Sequence, residues 1–137
     1  MRLRYGTASL ILLTFIATIP ASAMECPAKS IATDDVGTAL NEAPGCDKAM
    51  SIFQACETAT AGDVGLGAIV TQKCEKDFLA RLTPPQNQVY QHKLRACDRK
   101  YRDQSGSMYR SFEAFCRAKI AQRYSRKALK PGPKTSR

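Results

Sequence analysis

"RACDRKYRDQSGSMYRSFEAFC", residues 95–116, decides how the chain is read. Cys97 and Cys116 stand nine and ten residues either side of Gly106. If helices run into and out of that glycine, at about 1.5 Å per residue both cysteines lie roughly 14 Å along them, at one level. A disulfide needs Cα atoms about 4.4–6.8 Å apart, and that arrangement allows it. Gly106 between Ser105 and Ser107 reads as the break, with Ser107 capping the next helix. One helix continuing through Gly106 is the alternative.

Working outward, Thr83-Pro84-Pro85-Gln86 is a helix start. Thr83 caps, Pro84 fits a first position that needs no N–H, and Gln86 completes a capping box. The helix it opens runs to about Gln104 with Tyr90, Leu94, Cys97 and Tyr101 inward. After Gly106, Phe112, Cys116, Ile120 and Tyr124 form the expected inner face, with Met108 and Phe115 alongside. Upstream, Leu66, Val70, Cys74, Phe78 and Leu82 repeat every four residues, joined by Ile69 and Leu79, and predict a helix over 63–82 capped by Asp63. Ala49, Ile52, Phe53 and Cys56 predict another over 46–58 capped by Asp47. The turns near 62, 84 and 106 are evenly spaced. The expected fold class is all-α: a small antiparallel helical bundle stapled by disulfides, with an irregular N-terminal arm. The expected divisions are a signal peptide over 1–23, the arm over 24–45, the helical domain over 46–129 and a disordered basic tail over 130–137.

The signal reading rests on Arg2 and Arg4, the apolar stretch Ala8–Ile19, and Ala21-Ser22-Ala23, with cleavage expected after Ala23. An uncleaved anchor is the alternative. No later segment is apolar enough to span a bilayer. The expected location is therefore periplasmic or secreted. There the six cysteines, Cys26, Cys46, Cys56, Cys74, Cys97 and Cys116, imply a disulfide framework. The metal alternative lacks any C-x-x-C pair, and His92 is the one histidine. The level test passes for Cys97 with Cys116, for Cys56 with Cys74 around residue 65, and for Cys74 with Cys97 around residue 85. The preferred set is Cys26–Cys46, Cys56–Cys74 and Cys97–Cys116, one of 15 pairings that six cysteines allow.

Charge is divided. Residues 24–65 carry seven acids against Lys29 and Lys48, a net of −5, while residues 66–137 carry 17 Lys and Arg against five acids, a net of +12. Such asymmetry invites an anionic partner, although a solvated basic face answers it too. The candidate anion-binding set is Lys93, Arg95, Arg99, Lys100, Arg102, Arg110, Arg117 and Lys119. In an exported protein it points away from nucleic acid and toward anionic lipid, polysaccharide or peptidoglycan. No H-E-x-x-H, P-loop or G-x-S-x-G stands in the chain, and His92 falls opposite the apolar face of its helix. The expectation is a binding protein, not an enzyme, with no cofactor.

Residues 46–129 resemble the LprI-type lysozyme inhibitor domain. Gly106, Ser107, Met108, Tyr109 and Cys116 hold the spacing of that family's closing motif. "LRACDRKYRD" is similar to its basic-aromatic helix, Cys46 and Cys56 to its early cysteine pair, and Asp63 and Leu66 to the start of its Asp-x-x-Leu-Asn-x-x-Tyr pattern. Here Gly67 stands for the Asn, Val70 for the Tyr and Ser105 for the first Gly, and Cys74 is extra. The resemblance implies a secreted disulfide-bonded helical domain and, in some members, inhibition of a lysozyme. Many lysozymes are cationic, so such a contact would draw on the acidic half: Asp34, Asp35, Glu42, Asp47, Glu57 and Asp63.

Overall fold

The computed structural model describes residues 25–130, and the expected signal segment and the tail from 131 lie outside them. The order is α1 (Thr33–Glu42), α2 (Cys46–Ala55), α3 (Gly62–Glu75), a 3-10 turn (Leu79–Arg81), α4 (Pro84–Tyr101) and α5 (Ser107–Leu129), with no strand among the described residues. The all-α bundle is as expected. α4 starts at Pro84, where the Thr83 N–H donates to Gln86 Oε1 at 2.9 Å. Gly106 has φ 110°, a left-handed conformation that side chains resist, so α4 and α5 are separate helices.

The expected irregular arm is corrected by α1. Asp34 and Asp35 lie in its positive first turn, and Val36 and Leu40 bury fully. At its other end Lys73 Nζ donates to the Asn41 and Ala43 carbonyls at 2.9 and 2.6 Å. A cation on the last carbonyls is a standard helix terminus, here supplied by α3. Val36 and Leu40 alone within α1 are too few to show helical periodicity, and the stabilising lysine is about 30 residues away. The helix expected over 63–82 instead ends at Glu75, and the 3-10 turn follows. Neither Asp47 nor Asp63 acts as a cap; Gly45 and Ala61 occupy those positions.

The disulfides are Cys26–Cys56, Cys46–Cys74 and Cys97–Cys116, with Cα separations of 4.7, 4.5 and 5.8 Å. The third agrees with the preferred set, and the other two correct it. α2 ends at Ala55, so the α2–α3 hairpin turns near residue 60 and not near 65. Cys46 at the start of α2 then stands level with Cys74 near the end of α3. Cys56 lies at the turn and takes Cys26, so the first two bonds interleave along the chain. Loops of 30, 28 and 19 residues each stabilise by about 3–4 kcal/mol in a chain-entropy account.

α5 corrects a second expectation. Its buried residues are Ser111, Ala114, Phe115, Ala118, Ala121 and Ser125, while Phe112 is 36 % exposed. The small residues pack on α3. The larger stripe of Cys116, Ile120 and Tyr124 faces α4, where Tyr124 meets Phe78 and Tyr90. α3 and α5 run parallel: Ser111 Oγ donates to Asp63 Oδ2 at 2.6 Å, and Ser125 Oγ donates to Asp77 Oδ2, both 48 residues apart in sequence. Between those bonds Phe115 stacks on Phe53 with centroids 3.9 Å apart.

Gly67 is the point of closest approach. A Cβ there would stand 2.9 Å from Ala114 Cβ, 3.2 Å from Phe53 Cζ and 3.3 Å from the Ala114 carbonyl oxygen. Gly67→Ala gains helix propensity yet forces two helices apart. It is expected to lower stability by about 1–3 kcal/mol in urea denaturation, whereas Gly65→Ala, with nothing near its Cβ, is expected to raise it by a few tenths up to about 1 kcal/mol.

Candidate functional site

The basic residues of α4 and α5 meet across two adjoining grooves. The first, about 580 Å³, lies between the 3-10 turn, the first half of α4 and the end of α5. Arg81, Lys93, Arg123 and Lys127 line it with no acid, over a floor that includes Phe78, Leu82 and Tyr124, with Val89 on its wall. The second, about 720 Å³, continues along α4 and α5 over the Cys97–Cys116 bridge. Lys93, Lys100, Lys119 and Arg123 line it against a single acid, Glu57, so Lys93 and Arg123 belong to both grooves.

Helix spacing builds this arrangement. Lys119, Arg123 and Lys127 recur every four residues and form one stripe on α5. Lys93 and Lys100, seven apart on α4, share a face in the same way. Two ammonium groups sit over aromatic rings, Lys93 at 5.1 Å from the Tyr124 centroid and Lys100 at 5.0 Å from that of Tyr101. These contacts hold flexible lysines near the grooves and leave their charges unneutralised. No ion pair involves any of the six groove cations among the described residues.

Of the eight cations expected from the sequence, Lys93, Lys100 and Lys119 enter the grooves. Arg95, Arg99 and Arg102 are exposed on or just beyond α4 but line neither groove. Arg117 is engaged elsewhere, clamping α5 to α4 through Asp98 at 2.6 Å, and Arg110 lies 3.7 Å from Glu113. Those two arginines line a cleft of about 330 Å³ between α3 and α5 that also holds Glu75 and Glu113, so its charges balance. Arg81, Arg123 and Lys127 were missed. The four-residue stripe on α5 was the available signal for two of them. Arg81 reaches the groove only because the chain leaves α3 early.

The six acids do not gather on one surface. Asp63 is fully buried, accepting hydrogen bonds from Ser111 and from Thr58 Oγ1 at 3.1 Å, which corrects its assignment to a contact face. Asp47 pairs with Arg126 at 2.6 Å and accepts from Gln122 Nε2 at 2.6 Å. Asp35 accepts from Ser30, and Glu57 belongs to the basic groove. Asp34 and Glu42 remain exposed on α1.

Chemically, the grooves offer cations over an apolar floor. Their lining holds one carboxylate and no histidine, so no acid–base pair of those groups is assembled there. His92 is exposed on α4 and lines neither groove. Among the described residues no helix is long and apolar enough to cross a membrane. No family model matches the chain, and neither a curated protein nor a solved structure is significantly similar to it.

Beneath the first groove Tyr90 is fully buried and its hydroxyl donates to Glu75 Oε1 at 2.8 Å. Burial raises its pKa far above the ordinary tyrosine value, and the hydrogen bond to the Glu75 carboxylate raises it further. The folded chain therefore keeps this proton where the unfolded chain releases it, above pH about 10. The contribution is complete below that pH and is lost as pH rises above it, at about 1.4 kcal/mol per pH unit. Urea titrations from pH 8 to 11 are expected to show this decline, and Tyr90→Phe to make it shallower while lowering stability at pH 8 by about 1 kcal/mol.

Proposed function

We propose that this is a non-enzymatic binding protein of an oxidising compartment, periplasmic or secreted, that holds an anionic component of the cell envelope against α4 and α5. The observation that carries the reading is the cation set of the two grooves. Arg81, Lys93, Lys100, Lys119, Arg123 and Lys127 face Glu57 alone. Acids elsewhere in the chain are taken up by Arg110, Arg117 and Arg126. Three disulfides fit an oxidising compartment, and that setting favours lipid, polysaccharide or peptidoglycan over nucleic acid.

Co-sedimentation with phosphatidylglycerol vesicles, and retention on peptidoglycan, test it. Binding is expected to exceed that to neutral phosphatidylcholine vesicles and to weaken as salt rises from 0.05 to 0.5 M. Lys93→Glu with Arg123→Glu is expected to weaken it at least tenfold, taking about 1 kcal/mol for each charge near an anionic surface. Equal binding to neutral and anionic surfaces would overturn the reading.

A second reading, a module of the lysozyme-inhibitor type, draws on the resemblance at Gly106–Cys116. Its contact acids would be those of the six that are exposed and outside any ion pair among the described residues, Asp34, Glu42 and Glu57. Assays of several lysozymes against oxidised chain 24–137, with a reduced and alkylated control, separate the readings. Dose-dependent inhibition lost on reduction and on Asp34→Lys supports the inhibitor; no inhibition at large molar excess removes it.

A further inference from the structure

We infer that the groove between the 3-10 turn, α4 and α5 is a site for a single-chain anionic amphiphile, a lipid with one acyl or alkyl tail and a phosphate or carboxylate head. The inference rests on the anion-binding reading above and narrows it from a charged surface to a defined ligand. Charge complementarity fixes the sign: four cations and no acid line the groove. Its floor fixes the rest. Phe78, Leu82, Tyr124 and Ala128 form a continuous apolar strip, and Val89 on the wall is 53 % exposed. A sugar could stack on the aromatic rings but leaves the aliphatic Leu82, Val89 and Ala128 without a partner; an aliphatic tail covers them. At about 580 Å³ the groove is within the range of roughly 300–1,000 Å³ that small-molecule sites occupy.

Polarity along the groove is set by Lys93 and Arg123. They stand where the two grooves join, with the Lys93 ammonium over the Tyr124 ring. An anionic head there meets two cations at once, and the tail runs over Tyr124 and Phe78 toward Leu82. The adjoining groove differs. It has Lys100 and Lys119 but also Glu57, so it is the charge that sets it apart; its apolar lining of Tyr101, Phe112, Phe115 and Ile120 surrounds the Cys97–Cys116 bridge.

The test is calorimetric titration of the full oxidised chain with dodecyl phosphate and octyl phosphate, each kept below its micelle concentration. Each methylene buried tightens binding about three- to fourfold, so dodecyl phosphate is expected to bind one-to-one and on the order of a hundredfold tighter than octyl phosphate. Dodecyltrimethylammonium is expected not to bind. Arg123→Glu and Val89→Asp, both at exposed positions, are each expected to weaken dodecyl phosphate at least tenfold. Arg102→Glu, outside the grooves, is expected to leave it unchanged. Circular dichroism and non-reduced mass confirm that each variant folds. Equal affinity for both chain lengths, equal affinity for the cationic amphiphile, or indifference to Arg123→Glu would overturn the inference. If anionic vesicles bind with the expected salt dependence while dodecyl phosphate does not, the groove assignment fails and the surface reading stands. If neither binds, both fail.

Discussion

The contact between α3 and α5 at Gly67 and Ala114 is the constraint from which the rest of the molecule follows. The two helices approach so closely there that a single methyl group on Gly67 would meet side chain and backbone of α5 at once. Such an approach needs small residues in register on both helices, and Ala114, Ala118 and Ala121 supply them on α5. Ser111 to Asp63 and Ser125 to Asp77 fix the register at either end with hydrogen bonds to carboxylates. Because α3 and α5 run parallel, α4 returns between them antiparallel to both. Its cysteine then lies opposite Cys116, and the basic faces of α4 and α5 converge.

Much of this was legible in the sequence. Thr83-Pro84-Pro85-Gln86 and Ser105-Gly106-Ser107 mark α4 and α5 through local chemistry alone, and the symmetry about Gly106 allows the Cys97–Cys116 bond without excluding other pairings. What escaped is non-local or small. The helix in the arm depends on Lys73, about 30 residues further on. The other disulfides hinge on whether the α2–α3 turn centres near 60 or 65, a shift of little more than one helical turn. On α5 the large apolar residues drew attention to the α4 face, while the tighter contact is made by serine and alanine, which hydropathy scarcely registers. Asp63 was grouped with the contact acids by its charge and its place in the acidic half; its partner Ser111 is in another helix.

The same division explains the basic surface. Composition shows an excess of positive charge but not which charges are spoken for. In the folded chain Asp47, Asp63, Glu75, Asp77, Asp98 and Glu113 are engaged structurally, by Ser111, Ser125, Tyr90, Gln122 and three arginines. What remains on α4, α5 and the 3-10 turn is cationic because the partners that could have neutralised it hold helices together. Three of the five cations picked from the basic run along α4, Arg95, Arg99 and Arg102, line neither groove, and the stripe on α5 takes their place. The aromatic residues beneath the groove serve the second hydrophobic cluster as well, so the floor is a part of the core. The floor of the groove is therefore held in place by the packing of the core itself.

The interleaving of Cys26–Cys56 with Cys46–Cys74 has a consequence for how the molecule is assembled. In the exported protein proposed above, the chain is delivered from its N-terminus, so Cys26 and Cys46 would be the first two thiols to meet an oxidant, and they are not partners. A bond formed between them in order of arrival joins the wrong pair. It has to be exchanged once Cys56 and Cys74 follow, by thiolate attack through a mixed disulfide. Cys97 and Cys116 face no such conflict, since they are consecutive and close a short hairpin. The groove-bearing half of the molecule can thus be covalently complete while the acidic half is still sorting its bonds, and the yield of native protein depends on reshuffling as much as on oxidation.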